Sequence, residues 1–173
     1  LGFLENFAID LGGTVGSLGT DEERKVFVAK RDSLMVSAVI CYESVYGEFF
    51  ARFARNGAEL IFIVTNDGWW GDTPGHRQHF IYSRLRAIET RRSIARSANT
   101  GISAFVNQRG DVLWESEYWV PAVMKHDLNA NSRVTFYARN GDYFARISAF
   151  ISVMLLLIAI SMALRKRGGL KNS

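Results

Sequence analysis

The sequence predicts an α/β sandwich that lacks its front portion and is followed by one membrane-spanning helix. A strand–helix–strand unit occupies residues 34–65, and this unit is the building block of parallel sheets. A further helix and several short strands follow it, and an uncharged apolar stretch comes near the end of the chain. The 173 residues fit one domain of modest size.

The first half of the predicted domain reads in this order. Residues 1–33 are rich in glycine and predict a loop with one short strand at Val26–Ala29. Leu34–Ile40 is a short apolar run with β-branched residues, which predicts a buried strand. Apolar residues at helical spacing predict a helix over Glu43–Arg55, and Leu60–Thr65 predicts a second buried strand.

A long polar loop then leads into a second helix, predicted over Gln78–Arg92. Beyond it, short apolar runs separated by turn residues predict four more strands, at Ile94–Ser97, Ile102–Val106, Val112–Trp114 and Val123–Leu128.

Ile147–Leu164 contains 18 residues without a charge. At about 1.5 Å per residue a helix of this length spans roughly 27 Å, close to a hydrocarbon core of about 30 Å. The stretch is apolar on all sides and ends at three basic residues, which favours a membrane span over a buried core helix. We therefore divide the chain into a domain at residues 1–143, a membrane helix at 144–165 and a cytoplasmic basic tail at 166–173.

The net charge of +4, from 21 Lys and Arg against 17 Asp and Glu, resides in the C-terminal tail. Arg165, Lys166, Arg167 and Lys171 supply the excess, so nothing predicts a nucleic-acid-binding face on the domain. Cys41 is the single cysteine, which excludes an internal disulfide framework and a metal site built from several thiolates.

Cys41 lies directly after the predicted strand Leu34–Ile40 and before a helix. A helix N-terminus has a partial positive charge and free N–H groups. These groups favour a thiolate and can hold the oxyanion of a tetrahedral intermediate, so the position suits a nucleophile. The alternative is an inert buried cysteine, and position alone leaves both interpretations open.

Three other features carry two interpretations each. Glu43 fits a helix-stabilising acid better than an active-site carboxylate. His76 and His79 lack the spacing and partners of a zinc site, which favours hydrogen-bonded or solvated histidines, and we predict neither a metal nor a cofactor. Trp69 and Trp70 suit either the core or contact with lipid or an acyl chain.

Four motifs in this order identify a resemblance. V-I-C-Y-E-S-V-Y at Val39–Tyr46 resembles the nucleophile motif of the nitrilase superfamily, and R-S-A-N-T-G-I-S at Arg96–Ser103 resembles its strand–turn–strand motif. T-N-D-G-W-W-G-D at Thr65–Asp72 and T-F-Y-A-R-N-G-D at Thr135–Asp142 narrow the likeness. Together with the terminal helix they resemble the C-terminal part of the bacterial apolipoprotein N-acyltransferase family, from about residue 34 to residue 167.

The resemblance implies a nitrilase-like α-β-β-α sandwich, here partial, on the periplasmic side of the bacterial inner membrane. It implies transfer of an acyl chain from a phospholipid to the N-terminal amine of a diacylglyceryl-modified apolipoprotein, through a thioester on the enzyme's cysteine. Cys41 matches the nucleophile, and Tyr42 and Glu43 match active-site supports. The motifs place substrate binding at six further positions: Asn66, Asp67, Trp69, Trp70, His79 and Asn99.

The superfamily's Glu–Lys–Cys triad is not complete in these residues. The resemblance places both the glutamate and the lysine before the cysteine, the lysine well upstream of this chain, and the surroundings of Lys25 and Lys30 do not match the lysine motif. The chain begins without Met and without a signal peptide. We therefore expect a fragment of a multi-pass enzyme that is inactive alone; robust turnover by the isolated chain would refute this expectation.

Two alternatives remain. A membrane-tethered amidase would use the same nucleophile with water as the acceptor. A non-catalytic membrane-anchored domain would contain Cys41 merely as a buried residue.

Overall fold

One mixed β-sheet organises the chain. The computed structural model describes residues 23–30 and 33–169, with side chains described up to residue 164. The six strands are adjacent in chain order. They are β1 Phe27–Ala29, β2 Leu34–Ile40, β3 Leu60–Thr65, β4 Ser93–Ala98, β5 Ala104–Val106 and β6 Val112–Glu115.

The three central strands are parallel, as the strand–helix–strand pattern predicts. β2 pairs with β3 and β3 pairs with β4 in parallel, with Ile40 opposite Val64 and Val64 opposite Ser97. β1, β5 and β6 add to the two sides in antiparallel pairing. Because parallel strands end at the same edge of a sheet, the residues that follow β2, β3 and β4 lie at one edge.

Two helices cover one face of the sheet. They are α1 Gly47–Arg55 and α2 Pro74–Thr90. The buried core between the helices and the sheet is apolar and includes Phe50, Phe53, Phe80, Val39, Ile61, Ile63 and Ile94. The opposite face is apolar but exposed, with Ile40, Phe62 and Val64 all accessible to solvent. The described residues therefore show one helical layer and one sheet.

The helix predicted over Glu43–Arg55 is in fact two elements. A five-residue 3-10 turn occupies Cys41–Val45, Tyr46 is extended, and α1 begins at Gly47. α1 ends as predicted, with Asn56 at its C-cap and the next glycine in the left-handed region.

The second helix begins four residues earlier than predicted, at Pro74, with Thr73 as its N-cap. Proline suits the first helical position because it has no N–H that would need a partner there. The strand predicted over Val123–Leu128 is wrong. Val123 is fully exposed, and the carbonyl of Asn129 beyond it accepts hydrogen bonds from side chains rather than from a neighbouring strand.

A short helix, α3 Phe136–Asn140, was not predicted, and it leads into α4 Tyr143–Gly169. Tyr143–Leu164 of α4 is the single candidate membrane span in the described part of the chain, and its exposure argues against the core-helix alternative. The helix continues into the predicted basic tail as far as Gly169.

Candidate active site

Cys41 occupies the turn at the carboxyl end of β2. It is the first residue of the 3-10 turn, its φ is +50°, and its side chain is partly exposed. A positive φ is uncommon for a residue with a Cβ, and such conformations concentrate at functional sites. The backbone therefore bends sharply at this cysteine and does not bury it in the sheet.

The Cys41 sulfur lies beside the end of the neighbouring strand. Thr65, the last residue of β3, places its Oγ1 3.2 Å from Cys41 Sγ. The same hydroxyl lies 3.0 Å from Asp67 Oδ1, and its one proton can serve one of these acceptors at a time. The sulfur thus has a polar neighbour on the sheet side.

A buried ion pair lies beneath this turn. Arg96, on β4, donates from Nη2 to Asp67 Oδ2 over 2.6 Å, and both side chains have no solvent exposure. The guanidinium also donates to the Ile102 carbonyl and to the Ser83 hydroxyl. A Cβ on Gly101 would overlap Asp67, so glycine lets the chain pass close to this carboxylate.

His79 joins this ion pair to the nucleophile turn. Its Nδ1 lies 2.8 Å from Asp67 Oδ1, and the carboxylate acceptor assigns the proton to that nitrogen. Its Nε2 lies 3.3 Å from the Cys41 carbonyl oxygen and 3.1 Å from Ser44 Oγ. Ser44 Oγ is in turn 2.8 Å from the same carbonyl oxygen. The buried network therefore holds the backbone of Cys41 itself.

The charges in this network depend on one another. Burial alone would raise the pKa of Asp67, but the hydrogen bond from His79 and the charge of Arg96 outweigh it and lower that pKa below its ordinary value. Burial lowers the pKa of Arg96, while Asp67 and, more weakly, the charge of Cys41 oppose that shift. Arg96 is thus a positive group that interacts electrostatically with Cys41.

The lowered pKa of Asp67 predicts a loss of stability in acid. The folded state favours the ionised carboxylate, so its contribution is present above the ordinary pKa of 3.8 and is lost as the pH falls through the lower folded value. We expect the melting temperature to fall as the pH drops below about 4, and to fall less in Asp67→Asn. Thermal unfolding in detergent across this range measures it; an identical acid dependence in both proteins would contradict the assignment.

The two residues after Cys41 have different roles in the turn. Glu43 Oε2 accepts a hydrogen bond from the Ile40 N–H over 2.9 Å, which stabilises the start of the turn as the bland interpretation expected. Tyr42 is exposed, and its ring lies 5.8 Å from the ring of His79 and 6.5 Å from that of Trp70.

Trp69 and Trp70 form a second 3-10 turn with Gly68 and are both substantially exposed, so they are not core residues. Trp70 packs against Gly75 at the start of α2, where a Cβ would overlap its indole ring. An exposed aromatic surface therefore flanks the nucleophile turn.

Asn66 and Asn99 follow β3 and β4 at the same edge of the sheet. Asn66 Oδ1 accepts from the Gly68 N–H and the Thr100 hydroxyl, so this side chain shapes the tryptophan turn. Asn99 is exposed and lines a cavity of about 340 Å³ together with Trp119.

His76 and His79 do not form a metal site. Both are buried, His79 within the network above and His76 stacked on Tyr118 with ring centroids 3.9 Å apart. Among the described residues no group of three or more His, Cys, Asp or Glu side chains could hold a metal ion.

Sequence reasoning did not single out Thr65, Ser44 or Arg96 as site residues. A signal existed for Arg96, because it alternates with Ile94 on the inward face of β4, where a charge requires a buried partner. Thr65 and Ser44 carried no comparable signal, since small hydroxyl residues occur throughout strands and turns.

The comparisons with known proteins agree with the motifs. A family model described as carbon-nitrogen hydrolase matches residues 11–136. An apolipoprotein N-acyltransferase from Chlorobaculum tepidum is 35% identical over 167 residues, covering 95% of this chain and 31% of that protein. One from Agrobacterium fabrum is 38% identical over 130 residues, covering 74% of this chain and 24% of that protein. These matches confirm the resemblance, and the chain spans about a third or less of these relatives.

Solved structures show the same fold. An amidase from Nesterenkonia sp. matches with a TM-score of 0.54 at 18% identity, over 76% of this chain and 49% of that one. A mutant of the amidase from Nesterenkonia sp. AN1, with covalent addition at its active-site cysteine, matches with a TM-score of 0.57 at 19% identity, over 76% and 49%. At this identity the likeness concerns the nitrilase-like α/β fold.

Proposed function

Because this chain belongs to the carbon-nitrogen hydrolase family, we propose that it carries the nucleophile of an N-acyltransferase that acts on membrane-anchored substrates. The proposed donor is a phospholipid, and the proposed acceptor is the N-terminal amine of a diacylglyceryl-modified apolipoprotein. The printed names of the relatives support this choice within the family.

One observation carries the proposal. The Cys41 sulfur is partly exposed at a sharp strand-to-turn bend, next to a threonine hydroxyl and above a fully buried Asp–His–Arg network. A structural cysteine would be enclosed by apolar groups and would need no such support. A nucleophile needs access on one side and a fixed position on the other, and Cys41 has both.

The chemistry takes two steps. The Cys41 thiolate attacks the ester carbonyl of the donor, the carbon–oxygen bond breaks, and the lysophospholipid leaves with a proton. The acceptor amine then attacks the resulting thioester, gives up a proton, and releases the thiolate. A thioester reacts readily with an amine, so the covalent step makes the transfer efficient.

The side chains divide by depth. Asp67 and His79 lie buried beneath the turn, so we assign them to positioning Cys41 and not to touching substrate. Tyr42, Trp69 and Trp70 are the exposed aromatic surface for the acyl chain. Among the remaining candidates, Asn66 shapes the tryptophan turn, Asn99 lines the adjacent edge, and Glu43 stabilises the nucleophile turn.

The wider setting is part of the proposal. α4 crosses the bacterial inner membrane with its basic end in the cytoplasm, the domain is periplasmic, and the protein spans the membrane several times. The exposed apolar face of the sheet packs against a second sheet, which completes an α-β-β-α sandwich. The general base and the lysine of the triad are assigned to no residue described here, and the isolated chain is proposed to be inactive.

The product of the reaction tests this function. The full-length protein in membranes, given a phospholipid and a synthetic diacylglyceryl lipopeptide, is expected to form an amide-linked acyl group on the peptide, read by mass spectrometry. Free fatty acid, or ammonia from an amide substrate, without acylated peptide would support the amidase alternative. Absence of all products together with an unreactive Cys41 would support a non-catalytic domain.

A further inference from the structure

The Thr135–Asp142 motif connects the domain to α4, and its hydrogen bonds link it to the domain's two helices. Thr135 Oγ1 donates to the Glu89 carbonyl of α2 over 2.5 Å and accepts from the Ala138 N–H, which caps α3. The connection to α4 is therefore fixed to α2 at its first residue.

The same segment rests on the start of α1. A Cβ on Gly47, the first residue of α1, would overlap the Tyr137 hydroxyl and the Arg86 guanidinium. Only a residue without a side chain permits this approach, so α3 lies against the helix that follows the nucleophile turn.

A third contact joins α1 directly to α4. Glu48 Oε1 accepts from the Asp142 N–H over 2.9 Å and from Arg146 Nη2 over 2.6 Å. Gly141 has a φ of +70°, and a Cβ there would lie 2.5 Å from the same carboxylate oxygen. An exposed ion pair alone contributes little, but here it acts together with a main-chain bond and a close glycine contact.

The location of this contact gives it significance. Glu48 is seven residues after Cys41, and Arg146 is in the first turn of the candidate membrane span. Phe136, Tyr143 and Phe144 form a chain of ring contacts at the junction, and Phe136 and Phe144 are largely exposed, as is typical of side chains at a membrane surface.

We propose that Glu48, Gly141 and Arg146 form a clasp that holds Cys41 at a fixed position relative to the bilayer, so that the sulfur meets acyl donors that remain in the membrane. These are positioning residues, and the inference rests on the proposed function. It explains why the chain fixes the junction three times within twelve residues when a free linker would suffice for tethering.

A distance measurement tests the clasp without reference to activity. Spin labels at Arg52→Cys on α1 and Ile151→Cys on α4, in the full-length protein with Cys41→Ser and no other reactive cysteine, report the spacing of the two helices. We expect a narrow distribution that broadens in Glu48→Ala. The matched control is Arg109→Ala, which removes another exposed Arg–carboxylate pair, in the β5–β6 turn. An unchanged distribution in Glu48→Ala would overturn the clasp.

Two rates then separate positioning from general damage. In Glu48→Ala, acylation of Cys41 by a phospholipid in membranes is expected to fall about tenfold or more, because small misplacements are costly to reaction rates. Labelling of Cys41 by water-soluble iodoacetamide is expected to stay within about twofold of the parent. Glu48→Gln, which keeps an acceptor oxygen, is expected to recover part of the lipid-dependent rate.

Each other outcome has a definite meaning. If both rates fall together, Glu48 supports the nucleophile turn itself, and the positioning role is wrong. If neither rate falls, the clasp has no part in the reaction. If the parent protein is not acylated by phospholipid at all, the proposed function fails, and the distance measurement still decides whether the clasp exists.

Discussion

Replacement of Cys41 by alanine is expected to lower acyl transfer by the full-length protein by at least about 10³-fold, because the thioester cannot form without the sulfur. The measurement is the initial rate of lipopeptide acylation in membranes, together with the mass of the protein after incubation with phospholipid alone. The parent is expected to gain the mass of one acyl chain and the variant none.

The variant should keep its fold, which makes this result interpretable. Cys41 Sγ has one polar neighbour, the Thr65 hydroxyl, and that group has Asp67 as a second acceptor. We therefore expect the melting temperature of Cys41→Ala to stay close to that of the parent. Normal activity in a folded Cys41→Ala protein would end the nucleophile assignment.

The second large effect concerns stability. Asp67→Ala leaves Arg96 buried without its carboxylate and His79 without its acceptor. Removing one partner of a buried ion pair costs about 3–5 kcal/mol, since the remaining charge has neither water nor a counter-ion. We expect a loss of that size in the free energy of unfolding, or failure to fold, measured by denaturant titration in detergent.

A second Asp–Arg pair in the same chain supplies the matched control. Asp111 and Arg109 form an exposed pair at 2.9 Å, with side chains 54% and 77% accessible. Water solvates either partner when the other is removed, so Asp111→Ala should cost far less than Asp67→Ala. Equal losses in the two variants would show that the network beneath Cys41 does not depend on the buried carboxylate.

The sheet and its helices were predictable where the signal is local. β2, β3 and the end of α1 follow from short apolar runs and from a C-cap, all of which lie within a few residues. α3 was missed because five residues are too few to show a helical period. The strand predicted over Val123–Leu128 failed because its apolar residues meet no neighbouring strand, and pairing with a distant strand is not visible in a local pattern.

The site divides in the same way. The position of Cys41 at the end of a strand was predictable, since strand and turn are adjacent in the chain. The link between Asp67 and Arg96 depends on the parallel register that places Val64 opposite Ser97, a contact across 33 residues. The clasp at Glu48 joins residues 98 apart, and the motif that contains Gly141 gave no hint of its partner.

These contacts give the turn around Cys41 two supports of different kinds. The Asp67–His79–Arg96 network fixes the turn from inside the domain, through the Cys41 carbonyl. Glu48 and Arg146 are proposed to fix the domain to the membrane from outside. Loss of the first is expected to lower stability, whereas loss of the second is expected to lower the rate with lipid substrates alone.

The most direct test of the account is the location of the acyl group after the first half-reaction. The full-length protein is incubated with phospholipid without an acceptor, digested, and examined by tandem mass spectrometry. The account predicts one hydroxylamine-sensitive acyl group on the peptide that contains Cys41, which disappears when the lipopeptide is added. An acyl group on any other residue, with Cys41 left as a free thiol during turnover, would contradict it.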